Sequence, residues 1–186
     1  MELVPALAIG LLNGWILICL FYVLYGLLLW AFPKNVVARL YDKSGRAKRN
    51  RVLIGIGSVL AFVYFGLIIL TPLKIGSNGF VLGTIIYALG LAGFVVALFN
   101  FRHAPLDRPA TGGLYRMSRN PQQLTFFVSF LGICIVIGSW LALLIQIISS
   151  LFLHSRILAE EEACLERYGD SYRDYMKRVP RYFLFF

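Results

Sequence analysis

Thirty-six consecutive residues, Asn120 to Ser155, contain no Asp, Glu, Lys or Arg. As one helix the run would measure about 54 Å, far more than the ~30 Å of hydrocarbon that one crossing spans. Its midpoint falls at Gly138-Ser139, inside "VIGSW". A break there leaves two pieces of crossing length, folded back on each other as a hairpin. Three further uncharged runs precede it, over 3–33, 52–73 and 75–101, and each meets the ~20 residues a crossing needs. The expectation is an all-α polytopic membrane bundle, one domain over 1–186, with spans at about 4–32, 52–72, 79–100, 121–137 and 140–156.

Charge placement orients such a bundle. The net charge is +9, yet only 15% of residues are charged and 59% are hydrophobic, which excludes an ordinary soluble domain. Seven Lys/Arg fall in 34–51, one in 73–78, four in 102–119 and six from Arg156 onward. With the N-terminus outside and five crossings, all three basic regions lie on the cytoplasmic side. Anionic headgroups account for these cations better than nucleic acid does. The expected location is therefore a cell membrane, or the endoplasmic reticulum in a eukaryote, with the C-terminus cytoplasmic. The N-terminus lacks a basic region before its long apolar run, so it reads as a retained span rather than a signal peptide.

Cys19, Cys134 and Cys164 share no metal spacing, and His103 and His154 stand far apart, so no metal is expected. Gly10 and Gly14 in the first span, and Gly76, Gly79, Gly83, Gly90, Gly93 and Ala97 in the third, form small-residue faces suited to close helix packing. They would serve a homo-oligomer as well as an intramolecular bundle. Gly90 and Gly93, near the cytoplasmic half, are the two that could instead meet a ligand. Asn13 and Gln146 are polar within spans and should bond to neighbouring helices or line a cavity. The basic 34–51 segment reads as a solvated, lipid-facing loop. Trp140 and the terminal "YFLFF" read as interfacial anchors.

Two polar segments, 102–124 and 156–182, share the cytoplasmic face. In "GGLYRMSRNPQQL" the glycine pair permits close backbone approach. Asn120-Pro121 suits a helix start, with Asn120 near the N-cap. In "SRILAEEEACLERYGDSYRDYMKRVPRYF", Glu160 to Glu162 leave an apolar helix at what looks like its end. Acids there oppose the helix dipole, so pairing with Arg156 or a cationic or hydroxyl-rich ligand must account for them. Leu165, Tyr168, Tyr172, Tyr175 and Val179 recur at helical spacing, either as packing or as a ligand cage. Gly169-Asp170 should end one helix and begin the next.

In their order, "GLYRMSRNPQQL", an apolar hairpin and "EEEACLERYGDSYRDYMKRVPR" resemble the integral-membrane methyltransferases, the group of isoprenylcysteine carboxyl methyltransferase and the phospholipid N-methyltransferases. The resemblance covers about 85–182. It implies S-adenosylmethionine as methyl donor and a lipophilic acceptor: a prenylcysteine carboxylate, a phospholipid amine or a small thiol. It implies a cofactor site of Tyr115, Arg119, Asn120, Pro121, Gln123, Leu124, Glu160 and Glu161, with Glu161 and Asn120 at the reacting centre. Counting back from Tyr168-Gly169 favours the pair Glu160-Glu161 over Glu162. Arg156 and Arg181 are implied to engage an anionic acceptor head. Asn120 stands where the family has histidine, and Gln123 where it has tyrosine. Membrane sterol reductases resemble the same C-terminal region, so a nicotinamide-dependent reductase is the alternative, and a non-catalytic binding protein on this scaffold a third reading.

Overall fold

The computed structural model describes residues 1–42 and 51–183. Seven α-helices lie among the described residues, with no strand: α1 Trp15–Ala31, α2 Lys34–Leu40, α3 Arg51–Leu70, α4 Asn78–Arg102, α5 Pro121–Val136, α6 Trp140–Tyr168 and α7 Asp170–Arg178. Helices α4 and α6 are long and apolar enough to cross a membrane, and α1, 55–70 and α5 are shorter apolar helices. The outward surfaces carry many exposed large apolar side chains, among them Leu20, Leu27, Trp30, Phe62, Leu89 and Leu151. A surface this apolar suits lipid and would be a liability in water.

Helix α1 begins at Trp15 rather than near residue 4. The preceding segment instead supplies partners for the far end of α3. The last carbonyls of a helix have no intrahelical donor. Here Asn13 Nδ2 donates to Ile69 O at 3.0 Å, Ala8 N to Leu70 O at 2.8 Å and Gly14 N to Thr71 O at 3.0 Å. Asn13 is buried by this and also donates to Ala8 O. Further back, Glu2 N donates to Gly138 O and Trp140 N to Glu2 O, so the segment also binds the α5–α6 turn. That turn breaks the long uncharged run where Gly138 adopts φ +66° and Ser139 Oγ accepts from Ala142 N.

Helix α4 packs against α5 at backbone distance. A Cβ at Gly90 would lie 2.4 Å from Ser129 N, and one at Gly132 would lie 2.5 Å from Tyr87 N. Gly93 faces Thr125, so both glycines that could have met a ligand meet α5. Around this seam, Phe21 of α1, Phe94 of α4 and Phe126 and Phe130 of α5 form an aromatic cluster, with ring centroids 4.3 Å apart for Phe126 and Phe130 and 4.9 Å for Phe21 and Phe94. Such pairs add to their area burial.

Helix α6 does not stop where its uncharged stretch does. It runs unbroken to Tyr168, so Glu160 to Glu162 lie about two turns inside the helix and do not oppose its C-terminal dipole. Gly169, at φ +55°, ends α6 and starts α7. Residues 34–40 are helical; 43–50 and 184–186 lie outside the described residues. Gln146 is buried without a hydrogen-bond partner among the described residues, beside a groove of about 170 Å³ shared with Phe126 and Phe127.

Replacing Gly90 by alanine forces backbone apart along the α4–α5 seam, and overpacking of this kind costs about 1–3 kcal/mol. Gly26→Ala, where a Cβ meets nothing within 4 Å, serves as control. Thermal unfolding in detergent should show a lowered midpoint for the first and none for the second.

Candidate functional site

Helix α4 ends at Arg102, and the chain returns to α5 through a loop whose geometry is set at both ends. The Asn100 side chain accepts from Leu114 N at 2.9 Å, fixing the 3-10 turn Gly113–Arg116. That turn buries Tyr115, whose hydroxyl accepts from Gln122 Nε2 at 2.9 Å and whose carbonyl accepts from Tyr175 Oη at 2.6 Å. The chain then passes beneath the C-terminal tail. Arg119 N donates to Pro180 O at 2.9 Å, and Ser118 Oγ to Arg181 O at 2.9 Å.

The crossing point is a buried carboxylate. Glu161 Oε1 accepts from Arg119 Nε at 3.1 Å and Asn120 Nδ2 at 3.1 Å. Its Oε2 accepts from Arg181 Nε at 3.0 Å and Arg119 Nη2 at 3.4 Å. The side chains of Glu161 and Arg119 are each 4% exposed, and that of Arg181 is 22% exposed. Asn120 occupies the N-cap position of α5, but its side chain reaches Glu161 instead of capping. One carboxylate thus ties the loop, α6 and the tail together.

Glu160 points elsewhere. Consecutive helical residues differ by about 100° around the axis, so Glu160 faces a cavity of about 960 Å³ between the loop, α6, α7 and the α1–α2 region. There Glu160 Oε1 accepts from Arg156 Nε at 2.9 Å and Oε2 from Gln123 Nε2 at 3.2 Å. Tyr115, Arg119, Asn120, Gln123, Arg156, Glu160 and Glu161 all border this cavity; Pro121, Leu124 and Arg181 do not. Pro121 is buried at the first turn of α5, and the Arg181 guanidinium is engaged by Glu161. Tyr172 and Tyr175 do both things open to the tyrosine stripe: they pack with Val179 and they line the cavity.

Residues the sequence did not single out complete the lining. Tyr25 of α1 and Arg39, Leu40, Tyr41 and Asp42 form one wall, so the beginning of the supposed lipid-facing loop belongs to the cavity. Arg39 donates to Pro105 O and Arg108 O at 2.8 Å each, and Asp42 pairs with Arg167 at 2.9 Å. No local pattern marks Arg39 and Asp42, because their partners lie more than sixty positions away.

Burial pushes the Tyr115, Tyr172 and Tyr175 hydroxyls above the ordinary phenol range, so each is a protonated donor at neutral pH. Burial, helped by the nearby Glu160 charge, likewise raises the Cys164 thiol, which also lines the cavity. The result is an enclosure of phenols, amides and partnered charges. It suits binding and alignment of a polar ligand, and offers no histidine as base.

Comparison with known proteins places this arrangement. Residues 56–171 match the phospholipid methyltransferase family. The chain belongs to that family. It also resembles the protein-S-isoprenylcysteine O-methyltransferase of Schizosaccharomyces pombe, 35% identical over 71 residues. That stretch is 38% of this chain and 30% of the yeast protein. No solved structure matches. The family is one of membrane methyltransferases, and nothing in these matches supports the nicotinamide-dependent alternative.

Two expectations follow for this family member. Glu161→Ala leaves two guanidinium groups facing a lost partner, and breaking a buried pair in this way costs about 3–5 kcal/mol. Glu160→Ala, at a partly exposed position, should cost far less, so thermal unfolding separates the two. In a variant with Cys19 and Cys134 replaced by alanine, Cys164 should alkylate slowly at neutral pH. Its raised pKa means the rate keeps climbing above about pH 9, where an ordinary thiol of pKa ~8.5 levels off.

Proposed function

We propose that this is a multi-pass membrane enzyme transferring a methyl group from S-adenosylmethionine to a lipophilic acceptor, with the cavity around Glu160 as its active site. The observation that carries the reading is the convergence of the Tyr115–Gln123 loop and Glu160 on one cavity beside apolar helices, in a chain of the phospholipid methyltransferase family. Five crossings, with the N-terminus outside, put this cavity on the cytoplasmic face where a soluble donor is available, and the α5–α6 hairpin supplies the last two.

The residues present fit the donor. Its ammonium and sulfonium suit the Glu160 carboxylate and the rings of Tyr115, Tyr172 and Tyr175. Its adenine and ribose polar groups suit Asn120, Gln122 and Gln123. When bound, the donor supplies a methyl group activated by its sulfonium leaving group. The protein's contribution is to align the two reactants and exclude water.

The acceptor fits best as an oxygen that is already nucleophilic. A lipid amine must lose a proton, but Asn120 cannot take one near neutral pH, and Glu161 is held by two arginines and an amide. A carboxylate needs no proton removed. The name of the yeast relative specifies O-methyl transfer on an isoprenylcysteine, and an acceptor of that kind combines a carboxylate with an apolar chain that lipid can deliver.

Calorimetric titration of the detergent-purified protein with S-adenosylhomocysteine tests the donor assignment. Micromolar binding is expected, weakened about tenfold or more in Glu160→Gln and Gln123→Ala, the loss of one charge-assisted or two neutral hydrogen bonds. A folded wild type that binds NADPH and not S-adenosylhomocysteine overturns it.

A further inference from the structure

The cavity has two walls with different relations to the family. The loop, α6 and the start of α7 lie within or beside the matched residues 56–171, whereas Tyr25, Arg39, Leu40, Tyr41 and Asp42 all precede them. At about 960 Å³ the cavity is at the upper end of the range for small-molecule clefts, which leaves room for a donor and the head of a second molecule. The donor contacts proposed above all lie on the first wall, which leaves the second for the acceptor.

The second wall has the chemistry for this. The Tyr25 and Tyr41 hydroxyls are 2.7 Å apart. Two phenols bring two protons, and their mutual hydrogen bond uses one, so the pair keeps one O–H donor for a ligand. The pair is held in place. The Tyr25 ring packs edge-on against Phe94 at 5.5 Å, and Tyr41 lies between Arg39, bonded to the 105–108 carbonyls, and Asp42, paired with Arg167. Arg156, 46% exposed and paired with Glu160, lines the same cavity as Tyr25 and Tyr41. Tyr25 belongs to apolar α1 and Tyr41 to the segment just beyond α2. The pair therefore joins an apolar helix to a polar segment, as the head of an amphiphile requires of its binding site.

We propose that the Tyr25–Tyr41 hydroxyl pair, with Arg156 beside it, binds the carboxylate head of the methyl acceptor and selects it over an amine-bearing lipid. This rests on the methyltransferase reading above, and donor binding separates the two ideas.

The experiment compares wild type, Tyr25→Phe, Tyr41→Phe and the double variant in nanodiscs. Each is titrated with S-adenosylhomocysteine and then assayed with labelled donor against N-acetyl-S-farnesylcysteine, its carboxamide, and phosphatidylethanolamine in the disc. The expected wild type methylates the carboxylate compound and neither of the others. In all three variants S-adenosylhomocysteine affinity and kcat should stay near wild type. KM for the carboxylate compound should rise about tenfold to a hundredfold in the double variant, as for one lost hydrogen bond to a charged group, and less in the single variants, each of which keeps one hydroxyl. Unchanged KM in the double variant overturns the proposal, as does preference for phosphatidylethanolamine or methylation of neither compound by wild type that binds S-adenosylhomocysteine. Loss of S-adenosylhomocysteine affinity in the variants assigns the pair to the donor side and overturns it too. Failure of the wild type to bind S-adenosylhomocysteine removes the methyltransferase reading itself, and the proposal falls with it.

Discussion

A buried carboxylate is tolerable only if its charge is met on the spot. Glu161 meets that condition with three partners from two segments far apart in sequence: Arg119 and Asn120 from the α4–α5 loop, and Arg181 from the tail. The position of each partner follows from the others. Arg119 also donates to Met176 O, and the Arg181 carbonyl accepts from Ser118 and Asn120. Side chains of the loop are thereby stitched to the tail backbone, beside the backbone bond from Arg119 N to Pro180 O. The tail also packs Tyr172, Tyr175 and Val179 against Leu165 and Tyr168 of α6, so the polar clamp and an apolar cluster hold it together.

The clamp could not hold its geometry on a loose scaffold. Its loop is suspended between α4 and α5, and these two helices approach through glycines at a distance that admits no side chain between them. The far end of the bundle is tied in another way. There the N-terminal segment spends its hydrogen bonds on the open carbonyls of α3 and on the α5–α6 turn. The segment meets Ile69 O, Leu70 O and the neighbouring Thr71 O, which the end of α3 leaves without intrahelical donors. Asn13, a polar residue in an apolar run, does the decisive part of this work.

The apolar helices were legible because length and charge decide them with little help from tertiary context. Where reading failed, the cause was specific. Residues 4–14 are as apolar as a span, and nothing in composition distinguishes a helix from an extended cap whose partners lie at Ile69 to Thr71. The change from apolar to charged near Arg156 marks a change of solvent, and in the sequence it resembles a helix end although α6 continues to Tyr168. The loop and the glutamates could be paired from their order along the chain. The third wall could not, because Tyr25 and Arg39 to Asp42 reach the cavity only once α1 and α2 have packed, and no spacing between them and residues 115–161 reports that.

The paired glutamates illustrate why a two-residue motif can resist division from sequence. They read as a single unit there, yet a rotation of about 100° between neighbours on a helix sends Glu161 into the loop and tail and Glu160 into the cavity. The first completes the enclosure and the second presents charge within it. Because both sit on one turn of α6, the docking of the tail is coupled to the lining of the site: the backbone that Arg181 fixes through Glu161 is the same backbone that aims Glu160. Displacing the tail would expose Glu161 to water, leave Arg119 half-paired and release the loop that carries Gln123, the residue bonded to Glu160. The clamp is therefore the contact through which the cavity lining and the C-terminal segment are joined.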